Sequence, residues 1–184
     1  MTQAGEPLAS LTLRPEVPMG AYHGIGYVCV LGAVEALREQ GVDAGIAWPF
    51  GIVDVGSGQQ LASLRVRAGY DEGMFASCEL LAQEDLPDMD EAALAAGIEQ
   101  CVAAWAEQVR AGRAQAGPLA PILSTYFDYV PLLGRPAEAV YPNGNVMARG
   151  LFVGIDVWGR ATLRIESGRE LEFAPEQASL RPLR

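Results

Sequence analysis

Ile46-Ala47-Trp48-Pro49-Phe50-Gly51-Ile52-Val53-Asp54-Val55, followed after a short turn by Gln60-Leu61-Ala62-Ser63-Leu64-Arg65, is the stretch around which the chain is organised. It reads as short strands joined by turns. Ala44 to Trp48 is small and apolar, and Pro49 stops the ladder because it has no N–H to donate. Gly51 lets the chain change direction before Ile52, Val53 and Val55, and Gly56-Ser57-Gly58 marks a second turn. Gln60 to Arg67 is then a strand leaving that turn.

Outward from this hairpin, periodicity assigns the rest of the first half. Leu8 to Arg14 alternates Leu11 and Leu13 with Ser10, Thr12 and Arg14, the period of a half-buried strand. Tyr22, Ile25, Val28, Leu31, Val34 and Leu37 recur near 3.6, which predicts a helix over about Gly20–Gln40 with Gly41 as its C-terminal stop. That helix is apolar on most sides, so it should lie buried under a sheet. Gly24-Ile25-Gly26 lacks the third glycine of a dinucleotide loop, where Cys29 stands, and close helix–sheet packing accounts for it better. Met74 to Leu81 is a further strand. Asp88 with Glu91 forms a capping-box variant opening a helix to Arg113, with Leu94, Ile98, Cys101, Val102, Trp105 and Val109 as its core stripe. Gly117-Pro118 ends it, and Pro121 to Phe127 is a short second helix.

From Leu133-Gly134-Arg135-Pro136 onward the period is two. Pro142-Asn143-Gly144-Asn145 is a hairpin turn signal, Trp158-Gly159 and Ser167-Gly168 turn the chain again, and Ala178 to Leu180 closes. Five short strands in about fifty residues predict a small SH3-like barrel. The domain division expected is 1–134 and 135–184.

Composition removes several function classes. Half the residues are hydrophobic and a fifth are charged, which describes a folded globular chain. The net charge of −10 is uneven: residues 1–90 carry four arginines against thirteen acids. Such a surface offers neither phosphate neutralisation nor counterion release, so nucleic acid and membrane are not expected partners. All thirteen basic residues are arginine, which excludes a lysine Schiff base and a biotinylated or lipoylated acceptor within the chain. Cys29, Cys78 and Cys101 are widely spaced among apolar neighbours, and His23 is the single histidine, so no metal site is expected. An odd set of buried cysteines without a signal sequence fits a reducing cytoplasm. Tyr22 to Leu37 reads as too short to span a bilayer.

The central hairpin resembles the catalytic domain of biotin protein ligases. In that family the run is W-P-N-D, a turn, then K-L-x-G-I-L, and the frame here holds Trp48-Pro49-Phe50-Gly51 and Gln60-Leu61-Ala62-Ser63-Leu64-Arg65. The final segment is similar as well. L-L-G-R-P, G-x-x-x-G-I-D-x-x-G-x-L and a closing S-L-R recur as Leu132 to Pro136, Gly150 to Leu163 and Ser179 to Arg181. The resemblance implies an α+β fold: a biotin/lipoate-ligase-like mixed sheet with covering helices, followed by the SH3-like barrel. It also implies biotin and ATP with Mg²⁺ as ligands, pairing into a homodimer or with a partner ligase chain, and a biotin-carboxyl-carrier-type protein as partner.

Scaffold letters match and chemical letters do not. The family lysine, which contacts the biotin carboxylate and the adenylate, falls at Gln60, and the glycine three residues on falls at Ser63. Asparagine and aspartate after Trp-Pro are Phe50 and Gly51. The later G-x-G-I-N strand is matched by Cys78-Glu79-Leu80-Leu81. The family's G-R-G-R-x-G-R phosphate loop would lie ahead of the strand at Leu8, where this chain begins. Arg65 and Arg67 share the strand of Gln60 but at odd positions, so they should point to the other face unless a bulge intervenes. Trp48, Pro49, Phe50, Gln60 and Ser63 are the candidate substrate-binding positions, expected as a filled, collapsed pocket with no catalytic residue. The expectation is a catalytically inactive biotin protein ligase homologue acting as a binding or interaction protein. The alternative is a working ligase completed by a partner chain or by a longer gene.

Overall fold

In the computed structural model, which describes residues 4–84, 86 and 89–183, ten strands and three α-helices form two sheets with helices on one side of the first. The first sheet holds β1 (Pro7–Leu13), β2 (Ala44–Ala47), β3 (Gly51–Asp54), β4 (Gln60–Tyr70) and β5 (Met74–Ala82) in the order β1-β5-β4-β3-β2. Every neighbouring pair is antiparallel. This corrects the mixed sheet expected from the resemblance. The reason is topological: β2 to β5 follow one another through tight turns, and the one helical crossover links β1 to β2, which lie at opposite edges and never pair.

α1 (Ile25–Glu39) is that crossover, preceded by a 3₁₀ turn over Met19–Gly24. Of its fifteen residues all but Glu35, Arg38 and Glu39 are buried, because one flank meets the sheet and the other meets α2 (Glu91–Arg110). The whole helical run Met19–Glu39 has 21 residues and the hydropathy of a membrane span, but 83% of its most apolar window is covered by the protein itself. A Cβ on Gly32 would sit 2.8 Å from the Cys101 Cβ, and one on Gly97 would sit 2.7 Å from the Ala36 Cβ. The glycines of α1 therefore serve helix–helix and helix–loop approach rather than the expected contact with the sheet. Asp90, not Asp88, caps α2 by accepting from the Ala93 N–H at 3.0 Å; Asp88 lies outside the described residues. The helix stops at Arg110, where Gly112 (φ +78°) turns the chain.

Residues 114–135 wrap under the hairpin and include α3 (Leu123–Asp128). The second sheet holds β6 (Pro136–Val140), β7 (Val146–Ile155), β8 (Ala161–Arg164), β9 (Glu170–Phe173) and β10 (Ser179–Pro182), all antiparallel in the order β10-β6-β7-β8-β9. Its two edges do not pair, so the strands form an open sheet and not the closed barrel expected. The outer edge of β10 is turned to the first sheet instead: the Leu180 N–H donates to the Trp48 carbonyl at 3.4 Å.

Candidate functional site

The hairpin is held in place by buried donors converging on loop carbonyls. Trp48 is 2% exposed, and its Nε1–H donates to the Gly159 carbonyl at 2.9 Å, while the Tyr27 hydroxyl donates to the same oxygen at 2.8 Å. The Tyr126 hydroxyl donates to the Pro49 carbonyl at 3.3 Å, and the Tyr27 ring meets the rings of Phe50 and Tyr126 edge-on at 5.0 and 5.8 Å. Burial pushes the Tyr27 and Tyr126 hydroxyls far above the ordinary phenol range, so both remain neutral donors. Phe50 lays its ring over Gly26 of α1, where a Cβ would come within 2.8 Å of it. Gly26 is thus the notch that receives Phe50.

Outside this aromatic floor lies a cleft of about 450 Å³, within the size range of small-molecule sites. Trp48, Pro49, Phe50, Gln60 and Ser63 all line it, together with Ala47, Gly51 and Leu64. The two aromatic rings are absorbed by core packing below the cleft, so they do not obstruct it.

Gln60 reaches the cleft through a bulge. Ile52 pairs with Ala62 but Val53 pairs with Gln60, leaving Leu61 as the extra residue. The Gln60 amide nitrogen then lies 3.8 Å from the Cβ position of Gly51, which pairs with Ser63. The bulge therefore turns Gln60 to the outer face of Ser63, which Arg65 and Arg67 share with Ser63 by ordinary alternation. Neither arginine lines the cleft; Arg65 sits opposite Glu79 in the register. The Gln60 amide has no hydrogen-bond partner among the described residues, whereas the Ser63 hydroxyl accepts from Gln83 at 3.0 Å.

The far wall comes from the second sheet: Val140, Ser179, Leu180 and Arg181. Sequence reasoning noted Ser179 to Arg181 as part of a motif but did not place them at the site, since nothing local signals that β10 docks on the hairpin. Arg181 is the one cation among the described lining residues, and it is engaged. Its Nε and one terminal nitrogen lie 2.9 and 2.8 Å from the Glu138 carboxylate, whose other oxygen takes Arg149 at 2.7 Å. Glu138 is 4% exposed, and the guanidinium groups of Arg149 and Arg181 hold its carboxyl below the usual range against the opposing effect of burial.

Among the described residues no acidic side chain lines the cleft, so the described donors include no carboxylate that could hold the ion of a Mg²⁺–nucleotide. Among the described residues no three His, Cys, Asp or Glu side chains gather as a metal would require. The thiols offer no nucleophile. Cys29 is raised by its contact with Cys78 and by burial, and burial pushes Cys101 up to about 12. His23 is exposed and far in sequence from any partner group.

The helix-covered first sheet with a second small sheet against its hairpin is similar as a fold to solved structures of biotin protein ligases. The structure of the Aquifex aeolicus biotin protein ligase matches 95% of this chain and 81% of its own, with a TM-score of 0.67 at 15% identity. The same enzyme in complex with biotin and ATP matches at a TM-score of 0.66 over 95% and 77%. A biotin protein ligase-like protein of unknown function from Silicibacter sp. TM1040 matches over 91% and 77%, with a TM-score of 0.64 at 19% identity. At this level of identity the likeness establishes the fold. No protein-family model and no curated protein sequence matches the chain.

Proposed function

We propose that this chain is a catalytically inactive biotin protein ligase homologue, cytoplasmic, that uses the cleft for binding rather than for adenylate chemistry. One observation carries it: the position that holds the family lysine is Gln60, and the remaining cation of the cleft, Arg181, is paired with Glu138. Forming an acyl-adenylate brings a carboxylate against a triphosphate, and a preorganised cation is worth on the order of 10²–10³ in rate. An uncharged amide at Gln60 and a guanidinium held back on Glu138, which it shares with Arg149, do not place that cation. The acidic first half of the chain adds repulsion.

The second sheet is the counterpart of the family's SH3-like module, and a carrier-type protein is the partner class the resemblance supports. Assembly through the first sheet follows from the same reading, with β1 as the contact edge. Calorimetry with biotin, ATP and biotinyl-adenylate, run beside a pyrophosphate-release assay, tests the proposal. No pyrophosphate release is expected. Biotin-dependent release by protein free of contaminating ligase overturns it.

A further inference from the structure

A second pocket, of about 520 Å³, opens between the two sheets and shares only Ala47 and Leu180 with the hairpin cleft. One wall is β3 and the turn after it, from Val53 to Gly58; the other is the start of β6 at Arg135 and Pro136 with the end of β10 at Pro182 and Leu183. Aliphatic side chains and prolines make up most of the lining, and among the described lining residues two are charged, Asp54 and Arg135. They belong to opposite walls and form no ion pair with each other or with any other described residue. Asp54 is held from within its own turn: the Ser57 N–H and hydroxyl each donate to its Oδ1 at 2.7 Å. Those bonds keep its carboxyl below the ordinary range, so it is an anion at neutral pH with no cation beside it. Arg135 is exposed, and its guanidinium makes no hydrogen bond among the described residues.

Ligands of different charge fare differently between these walls. An aliphatic carboxylate is attracted by Arg135 and repelled by Asp54, an aliphatic amine the reverse, and at comparable distances the two Coulomb terms largely cancel. A molecule that carries both charges gains from both. We propose that this pocket binds a small aliphatic zwitterion, an α-amino acid of the leucine class, with its ammonium on Asp54 and its carboxylate on Arg135. The volume is within the range of small-molecule sites, and a groove between two packed units is where such sites concentrate. The apolar walls take the side chain, whose burial supplies the driving force. Both charged groups are open to water, so they select among ligands more than they tighten binding. The affinity that follows is weak, in the millimolar range, and it does not depend on what the hairpin cleft holds.

The test titrates the full chain with leucine, with 4-methylpentanoate, which lacks the ammonium, and with 3-methylbutylamine, which lacks the carboxylate, following amide chemical shifts. Leucine is expected to bind about tenfold more tightly than either analogue and to shift the amides of Val53 to Gly58 and of Leu132 to Arg135. Glycine, which has the charges without the aliphatic body, should bind more weakly than leucine. Arg135→Gln and Asp54→Asn should each remove the advantage of leucine over the analogue that lacks the matching charge. Asn at position 54 still accepts from Ser57, so the turn is retained, and Arg135 is exposed, so neither change threatens the fold. Leucine binding no tighter than the analogues, a preference unchanged in both variants, shifts confined to other parts of the chain, or no shift with leucine at millimolar concentration overturns the proposal.

Discussion

The Trp48 indole donates to the carbonyl of Gly159 at 2.9 Å, joining the first sheet's hairpin to a turn of the second sheet across 111 residues of chain. Gly159 has φ +89°, and a Cβ there would lie 2.3 to 2.5 Å from the Tyr27 ring and hydroxyl. Backbone strain and collision with a packed ring act together at this position. Gly159→Ala should therefore destabilise the protein by roughly 2–4 kcal/mol. Trp48→Phe, which removes one of two donors from that carbonyl, should cost about 1–2 kcal/mol. Urea denaturation of both variants checks the ranking, and a neutral Gly159→Ala would refute the account of this junction.

Acid sensitivity should trace to Glu138. Its carboxyl lies below the ordinary value of 4.5 because Arg149 and Arg181 hold the charged form. A group whose folded value is depressed binds a proton more readily when unfolded. Its stabilising contribution is thus present above about pH 4.5 and is lost as pH falls through the folded value. Asp71, held at about 2 by Arg14, titrates in the same direction, but both partners are half exposed and their pair is screened. Thermal melts between about pH 7 and pH 3 should show a falling midpoint for the natural chain and a shallower fall for Glu138→Gln. Parallel curves would show that the cluster contributes nothing to the pH dependence.

Much of the fold was legible because period and turn chemistry agree. The alternation at Leu11 and Leu13, the 3.6 period through α1, and Asn143-Gly144 each fix a local element whatever surrounds it. What depended on distant packing was not legible. Phe50 reads as an obstruction only if Gly26 is not known to lie beneath it. Gln60 shares a face with Ser63 only because of a bulge that strict alternation does not encode. Arg181 and Glu138 belong to strands 43 residues apart, and nothing near either residue marks their meeting at the cleft. The antiparallel order follows from which edges β1 and β2 occupy, a global property that a strand-by-strand reading does not contain.

The two edges of the first sheet differ in how they are guarded, and this governs assembly. At the β2 edge the Ile46 N–H donates to the Tyr129 carbonyl at 2.6 Å, and the carbonyl of Trp48 just beyond the strand accepts from Leu180. At the β1 edge, Pro7-Leu8-Ala9-Ser10-Leu11-Thr12-Leu13 carries no charge, and apart from its ladder with β5 it makes no backbone hydrogen bond among the described residues. An uncharged seven-residue edge is a template for pairing with another strand. A second copy of β1 running antiparallel about a two-fold axis satisfies the edges of both chains at once. A homodimer through β1 is therefore expected at micromolar concentration. Ser10→Lys combined with Thr12→Lys should dissociate it by opposing like charges across the axis, with little effect on the fold because both side chains are exposed. Sedimentation equilibrium of the natural and doubly substituted chains decides the point: a natural chain that stays monomeric at high concentration, or a variant that remains dimeric, would rule out pairing through this edge.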